Sequence, residues 1–255
     1  MEEIHRRWGE SFPISKELRL RGGNRDAFWP LRHVQLRKEA PLAWVLLDRP
    51  EVLNALNSQV LVQLEATLRE AASDPEVRVV LLAGSSRVFA AGADISEMAG
   101  KTAFQGREFT FLGQRVAHTL ENLPRPVIAV VEGYALGGGL ELALAADFLV
   151  AAEGTQLALP EVSLGIHPGF GGTQRLVRLV GRARTKLLVE SGLPIAAEEA
   201  ERWGIVARVY PASTLKEEAR KLALAIASRA PLAVSMVRRV IDRGADADLE
   251  TALQL

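Results

Sequence analysis

Residues 133–147 read GYALGGGLELALAAD, and this stretch decides how the rest of the chain is understood. It follows a β-rich run, Pro126–Val131 (PVIAVV), and leads into helical text. Three consecutive glycines are poor helix material, costing about 1 kcal/mol each relative to alanine. Their gain is close backbone approach and uncovered N–H donors at the positive end of a helix. The pattern does not match the dinucleotide fingerprint, because the glycines Gly137, Gly138 and Gly139 are contiguous, and no Gly-Lys-Ser/Thr follows as a phosphate loop requires. Glu141 stands alone among Leu140, Leu142, Ala143 and Leu144, so its helix offers no polar face. A carboxylate buried without a partner has its pKa raised by desolvation, which suits a general acid or base near neutral pH.

Outward from this point, strands and helices alternate. Ala43–Leu47, Val77–Ala83, Pro126–Val131, Asp147–Ala152 and Gln156–Leu159 read as strands, with a further short one near Ala207–Tyr210. Asn54–Ala72 places Leu56, Val60, Leu61, Leu64 and Leu68 on one helical face, and Lys101–Leu123 is helical text. Two amphipathic patterns follow near the end, one over Leu215–Ile226 and one over Ala233–Ile241. The expectation is an α/β fold with parallel strands covered by helices. Residues 1–32 show no sustained period and read as a loosely ordered leader; 33–205 read as the core and 206–255 as a helical C-terminal region.

Composition narrows the chemistry. Lys plus Arg equal Asp plus Glu at 31 each, so no bulk field draws the 255-residue chain to nucleic acid or to an acidic membrane. There is no cysteine, and the four histidines are scattered, which leaves no basis for a thiolate nucleophile or a metal cluster. The N-terminus lacks an apolar run of signal-peptide length, and Glu2, Glu3 and Glu10 argue against a transit peptide, so a cytoplasmic protein is expected.

Two further segments carry candidate chemistry. Phe89–Ile95 (FAAGADI) runs from a strand into small residues and leaves backbone N–H groups uncovered, a geometry that polarises a carbonyl. Leu157–Gly172 (LALPEVSLGIHPGFGG) holds Glu161 as its single acid in a Gly/Pro-rich loop; an exposed turn glutamate and a site acid both fit. His167 lies in the same loop without an evident partner and reads as structural. Two donor corners and two carboxylates in apolar surroundings suit proton transfer beside a polarised carbonyl, with water as a second reactant.

At these residues the chain resembles the enoyl-CoA hydratase/isomerase family, also called the crotonase superfamily. The resemblance rests on RPEVLNALN (49–57), FAAGADISEM (89–98), RPVIAVVEGYALGGGLELALAAD (125–147), LALPEVSLGIHPGFGGTQRLVRLVG (157–181) and AAEEAERWGIVARV (196–209). It implies a crotonase-like spiral of ββα turns with a helical C-terminal region, assembled as a homo-trimer or as a hexamer of paired trimers. It implies an oxyanion hole from the N–H groups of Ala93 and Gly138, and it puts Glu141 and Glu161 at the two acid/base positions. Gly169 falls on the loop lining the acyl site, and Ala91, Ala93, Asp94, Ile95 and Ser96 on the segment that binds coenzyme A. Coenzyme A enters as the thioester part of the substrate, and no resident cofactor or metal is implied. Both glutamates together favour hydration of a 2-enoyl-CoA to a 3-hydroxyacyl-CoA; an isomerase, another acyl-CoA enzyme of the superfamily, and a non-catalytic or RNA-binding protein are the alternatives. Members of the family continue beyond the point where ADADLETALQL (245–255) stops inside helical text, so the C-terminal region is expected to be shortened.

Overall fold

The structure, a computed structural model, describes residues 33–85 and 88–255. The leader assigned to residues 1–32 lies outside the described residues.

The chain enters a six-stranded sheet through a hairpin, β1 (Val34–Glu39) and β2 (Leu42–Leu47), paired antiparallel. β3 (Val79–Gly84), β4 (Val127–Val131), β6 (Phe148–Ala152) and β9 (Arg208–Tyr210) then add in parallel, in the order β1-β2-β3-β4-β6-β9. Every residue of β2, β3 and β4 is buried, as continuous apolar runs covered on both faces demand. Alternation splits their side chains. Ala43, Val45, Val80, Leu82 and Ala129 face one apolar core, while Leu42, Trp44, Leu81 and Ile128 face another. Helix α1 (Ser58–Ser73) covers the first face with the fully buried Leu61, Leu64 and Leu68, each contributing about 1.5–3 kcal/mol. α3 (Ala103–Glu121) covers the same face. The second face is closed by α7 (Leu215–Ala227), through Leu215, Ala219, Ala223 and Ala227.

A smaller sheet runs beside the first, in the order β5-β7-β8, from β5 (Tyr134–Leu136), β7 (Gln156–Ala158) and β8 (Ile195–Ala196). β4 and β5 lie in different sheets and are followed by α4 (Gly138–Ala143); β6 and β7 repeat the step before the 3-10 turn Pro160–Leu164. β3 begins the series, since Ala90 bridges Ala135 of β5 before the short helix α2 (Ile95–Met98). These successive ββα steps form the spiral that the family resemblance implies. α5 (Gly172–Ser191) is broken at Gly181, and α6 (Ala197–Trp203), α8 (Pro231–Gly244) and α9 (Leu249–Ala252) complete the described chain.

The structure departs from the sequence reading at α1, β5 and β1. α1 starts at Ser58, not Asn54, because Leu53 and Asn54 take positive φ (55° and 57°) and Asn57 caps the helix by accepting the Val60 N–H at 2.8 Å. β5 lies where only a turn was expected, drawn into extended form by pairing with β7. β1 was not foreseen; its pattern is half-solvated and mostly polar, and its pairing with β2 makes it a strand. No described helix is long and apolar enough to cross a membrane.

Candidate active site

The glycine run sits where two peptide segments meet. Gly137 takes φ 49° and ψ −127°, a conformation open to glycine, and turns β5 into α4. The first intrahelical bond of α4 runs from the Glu141 N–H to the Gly137 carbonyl at 3.0 Å. The N–H of Gly138 is therefore one of the orphan donors of a first helical turn. All six residues of α4 are buried, and each glycine admits a different neighbour. A Cβ at Gly137 would lie 2.7 Å from Glu161 Oε1, one at Gly138 2.8 Å from the Phe170 ring, and one at Gly139 2.5 Å from the Ala90 carbonyl oxygen.

The second donor comes from the 88–94 segment. The Leu56 N–H donates to the Gly92 carbonyl at 2.8 Å, and the Asp94 N–H donates to the Leu56 carbonyl at 2.9 Å. Extended backbone alternates its donors, so the Ala93 N–H points away from Leu56. Among the described residues neither the Ala93 nor the Gly138 N–H is taken by a backbone carbonyl. The two segments touch: a Cβ at Gly92 would stand 3.1 Å from the Leu136 carbonyl oxygen and 3.9 Å from the Gly137 Cα.

Asn54, which the sequence reading left without a role, pins this arrangement. It is 1% exposed, and its Nδ2 donates to the Val88 carbonyl at 2.7 Å and to that of Phe89 at 3.2 Å. Its Oδ1 accepts the Arg49 N–H at 2.8 Å. Asp94 is occupied within the protein: it accepts from Ser96, pairs with Arg49 Nη1 at 2.6 Å, and caps α2. The Ser96 hydrogen bonds and the Arg49 charge hold its carboxyl below the usual carboxylate range. Of the remaining residues in this segment, Ala91 and Ala93 are half-buried, and Ile95 and Ser96 are exposed.

The two acids are unequal. Glu141 is 1% exposed, and its Oε1 accepts two backbone N–H groups, from Phe170 at 2.9 Å and Gly172 at 2.7 Å. A Cβ at Gly172 would lie 2.7 Å from Glu141 Cγ, so only glycine lets that donor so close. Burial raises the Glu141 pKa, and these N–H groups and the Arg175 charge work against it. The expectation of a partnerless Glu141 is thus corrected: α4 has no polar face, but the loop before α5 brings donors to it. Glu161 has a buried Oε2 with no hydrogen-bond partner. Burial pushes the Glu161 carboxyl up to about 7, and the Glu141 charge adds to the shift while His167 opposes it. His167 Nδ1 lies 2.9 Å from the Pro168 carbonyl oxygen. Gly169 meets α3, where Gln114 Nε2 donates to its carbonyl at 2.8 Å.

Residues 37–255 match the enoyl-CoA hydratase/isomerase family. The chain belongs to that family. It is 46% identical over 224 residues to the short-chain-enoyl-CoA hydratase of Clostridium acetobutylicum, covering 88% of this chain and 86% of the relative. The crotonyl-CoA hydratase of Syntrophomonas wolfei is 41% identical over the same shares. The crystal structure of enoyl-CoA hydratase from Bacillus anthracis superposes with a TM-score of 0.85 at 40% identity, covering 88% of this chain and 87% of that one. Within this enoyl-CoA hydratase/isomerase chain, Ala93, Gly138, Glu141 and Glu161 converge on the Gly137 turn, and Phe170 and Gly172 join them as residues the sequence reading had not assigned. A signal for the last two was present in GFGG (169–172), where consecutive glycines leave the N–H of a loop accessible.

Proposed function

We propose that this chain is an enoyl-CoA hydratase that adds water to a 2-enoyl-CoA thioester and yields a 3-hydroxyacyl-CoA. The observation that carries the reading is the inequality of the two acids beside two open N–H donors. Two N–H groups on Glu141 favour its charged form, the form a base needs; Glu161, with an unpartnered buried oxygen and the Glu141 charge nearby, keeps its proton to about pH 7.

Water held between them attacks C3 and gives a proton to Glu141. The C2=C3 electron pair moves toward the thioester carbonyl, whose oxygen becomes enolate-like and is held by the N–H groups of Ala93 and Gly138. C2 then takes the Glu161 proton. The pair thus carries one proton before and after the step, and the reverse dehydration uses the same net charge. Loss of an oxyanion donor of this kind costs about 3–4 kcal/mol of barrier. Ala91, Asp94, Ile95, Ser96 and Gly169 belong to the reading as the coenzyme A and acyl contacts, and no resident cofactor takes part. A cytoplasmic location and assembly as a trimer or paired trimers complete it; the exposed Leu232, Met236, Val237 and Ile241 of α8 support self-association.

The test is the rate at which the conjugated-thioester absorbance of crotonyl-CoA disappears. Glu141→Gln and Glu161→Gln are each expected to lose about 10²–10⁴-fold in kcat. Wild-type rates in both variants sink the two-carboxylate mechanism. In the wild type, kcat/KM for hydration falls as pH rises past about 7, because Glu161 must hold its proton to deliver it. A profile flat from about pH 6 to about pH 8, ~one decade of proton loss either side of that value, contradicts the assignment of Glu161 as the acid.

A further inference from the structure

The turn that holds Glu141 is itself held. Its donors, the N–H groups of Phe170 and Gly172, flank Gly171, which takes φ 105°. Arg175 stands in the first turn of α5 and reaches back over this turn. Its Nη1 donates to the Phe170 carbonyl at 2.9 Å, and its Nε donates to Glu121 Oε1 of α3 at 2.7 Å. The guanidinium lies so close above Gly171 that a Cβ there would collide with it. Its side chain is 18% exposed, so the ion pair with Glu121 is partly sheltered from water.

We propose that Arg175 is the positioning residue for Glu141: it clamps the 170–172 turn between α3 and α5 so that both N–H groups stay aimed at one carboxylate oxygen. The inference rests on the reading of Glu141 as the base and adds a residue to it. A planar fork that grips a carbonyl with one nitrogen and a carboxylate with another is a task for Arg; Lys, a single point charge, can do one or the other. Released from Arg175, the Phe170 carbonyl is left without its partner, the peptide it shares with the Gly171 N–H can tilt, and the turn that aims the flanking Phe170 and Gly172 N–H groups at Glu141 loosens. Glu141 would then face burial with fewer donors and take up a proton more readily. Arg175 acts on Glu141 by charge as well as through the turn, and the other charged groups that bear on the pair are Glu161, His167 and, through Arg175, Glu121.

The experiment compares Arg175→Gln, Arg175→Lys and Glu121→Gln in the full chain. Arg175→Gln is expected to lower kcat about ten-fold with little change in KM, and to move the acidic limb of the kcat profile to higher pH by about one unit. Arg175→Lys keeps the charge and should recover part of the shift but less of the rate. Glu121→Gln should produce a smaller loss in the same direction, because the bond to the Phe170 carbonyl remains. An acidic limb that stays at its wild-type pH in Arg175→Gln overturns the proposal, since a merely structural loss lowers the active fraction without moving an ionisation.

A second readout separates this inference from the reading beneath it. Carboxyl NMR titration of carbon-13-labelled glutamate, in a Glu161→Gln background, follows Glu141 without catalysis. An upward shift of its pKa on adding Arg175→Gln that persists in part with the charge-retaining Arg175→Lys supports the clamp even if Glu141→Gln retains activity and the base assignment fails. An unmoved Glu141 overturns the clamp even if Glu141 proves to be the base.

Discussion

Helices α4 and α8 are held in the molecule by opposite means. α4 has six residues, all buried, and carries a carboxylate into the interior. α8 has fourteen residues, none buried, and leaves Leu232, Met236, Val237 and Ile241 in the open. α4 is fixed by what glycine permits: backbone and side chains of other segments stand where its Cβ atoms would be. α8 is moored largely by one side chain. The Arg238 guanidinium donates to the carbonyls of Leu120 and Glu121 at 3.2 and 2.8 Å, binds the Leu123 carbonyl, and pairs with Asp147. It thus adds donors to carbonyls at the end of α3, where intrahelical partners run out. Close packing fixes a position within fractions of an ångström, which the site around Glu141 needs; a polar mooring holds a helix in place but leaves its apolar face for something else to cover.

The close packing of α4 leaves least room at Gly139. Alanine there puts a Cβ 2.5 Å from the Ala90 carbonyl oxygen and 2.8 Å from the Ala90 Cβ. Neither neighbour is a flexible chain end, and the Ala90 carbonyl also accepts the Leu136 N–H at 3.0 Å. We expect Gly139→Ala to cost about 1–3 kcal/mol in urea denaturation, as overpacking does, and to lower kcat by displacing the 90–93 segment. Unchanged stability and rate would mean that this contact is slack, and the account of α4 would fail with it.

Much of this was legible in the sequence where physics is local. Continuous apolar runs marked β2, β3, β4 and β6 because strands buried on both faces have no choice of side-chain character. The isolation of Glu141 among leucines and alanines marked an acid with a raised pKa, and the direction holds. What stayed hidden was made by partners distant in the chain. The N–H groups that hold Glu141 come from residues 29 and 31 positions away, and no pattern around Glu141 announces them. Asn54 looked like the start of a helix, because Leu56, Val60, Leu61 and Leu64 share one helical face. Its actual conformation is set by bonds to Val88 and Phe89, 34 and 35 residues on. The inequality of the two acids was equally out of reach, since it depends on which carboxylate the donors meet in space.

Arg238→Ala removes charge-assisted bonds to several carbonyls and the ion pair with Asp147, and should cost about 1.5–3 kcal/mol. The loss is expected to be local: hydrogen exchange should speed up across 231–244 while β3 and β4 keep their protection. Exchange that rises equally in the sheet and in α8 would show that the mooring supports the whole fold. Ile241→Glu tests the other half of the contrast. Ile241 is 63% exposed, so the change should alter the stability of an isolated chain by less than about 0.5 kcal/mol. If α8 turns its apolar face to a second copy of the chain, that same charge must be desolvated on assembly, and sedimentation velocity should show the larger species replaced by monomer. A variant that stays assembled while Arg238→Ala dissociates would separate the two functions: the arginine would then set where α8 sits, and a surface other than Ile241 would bear the contact.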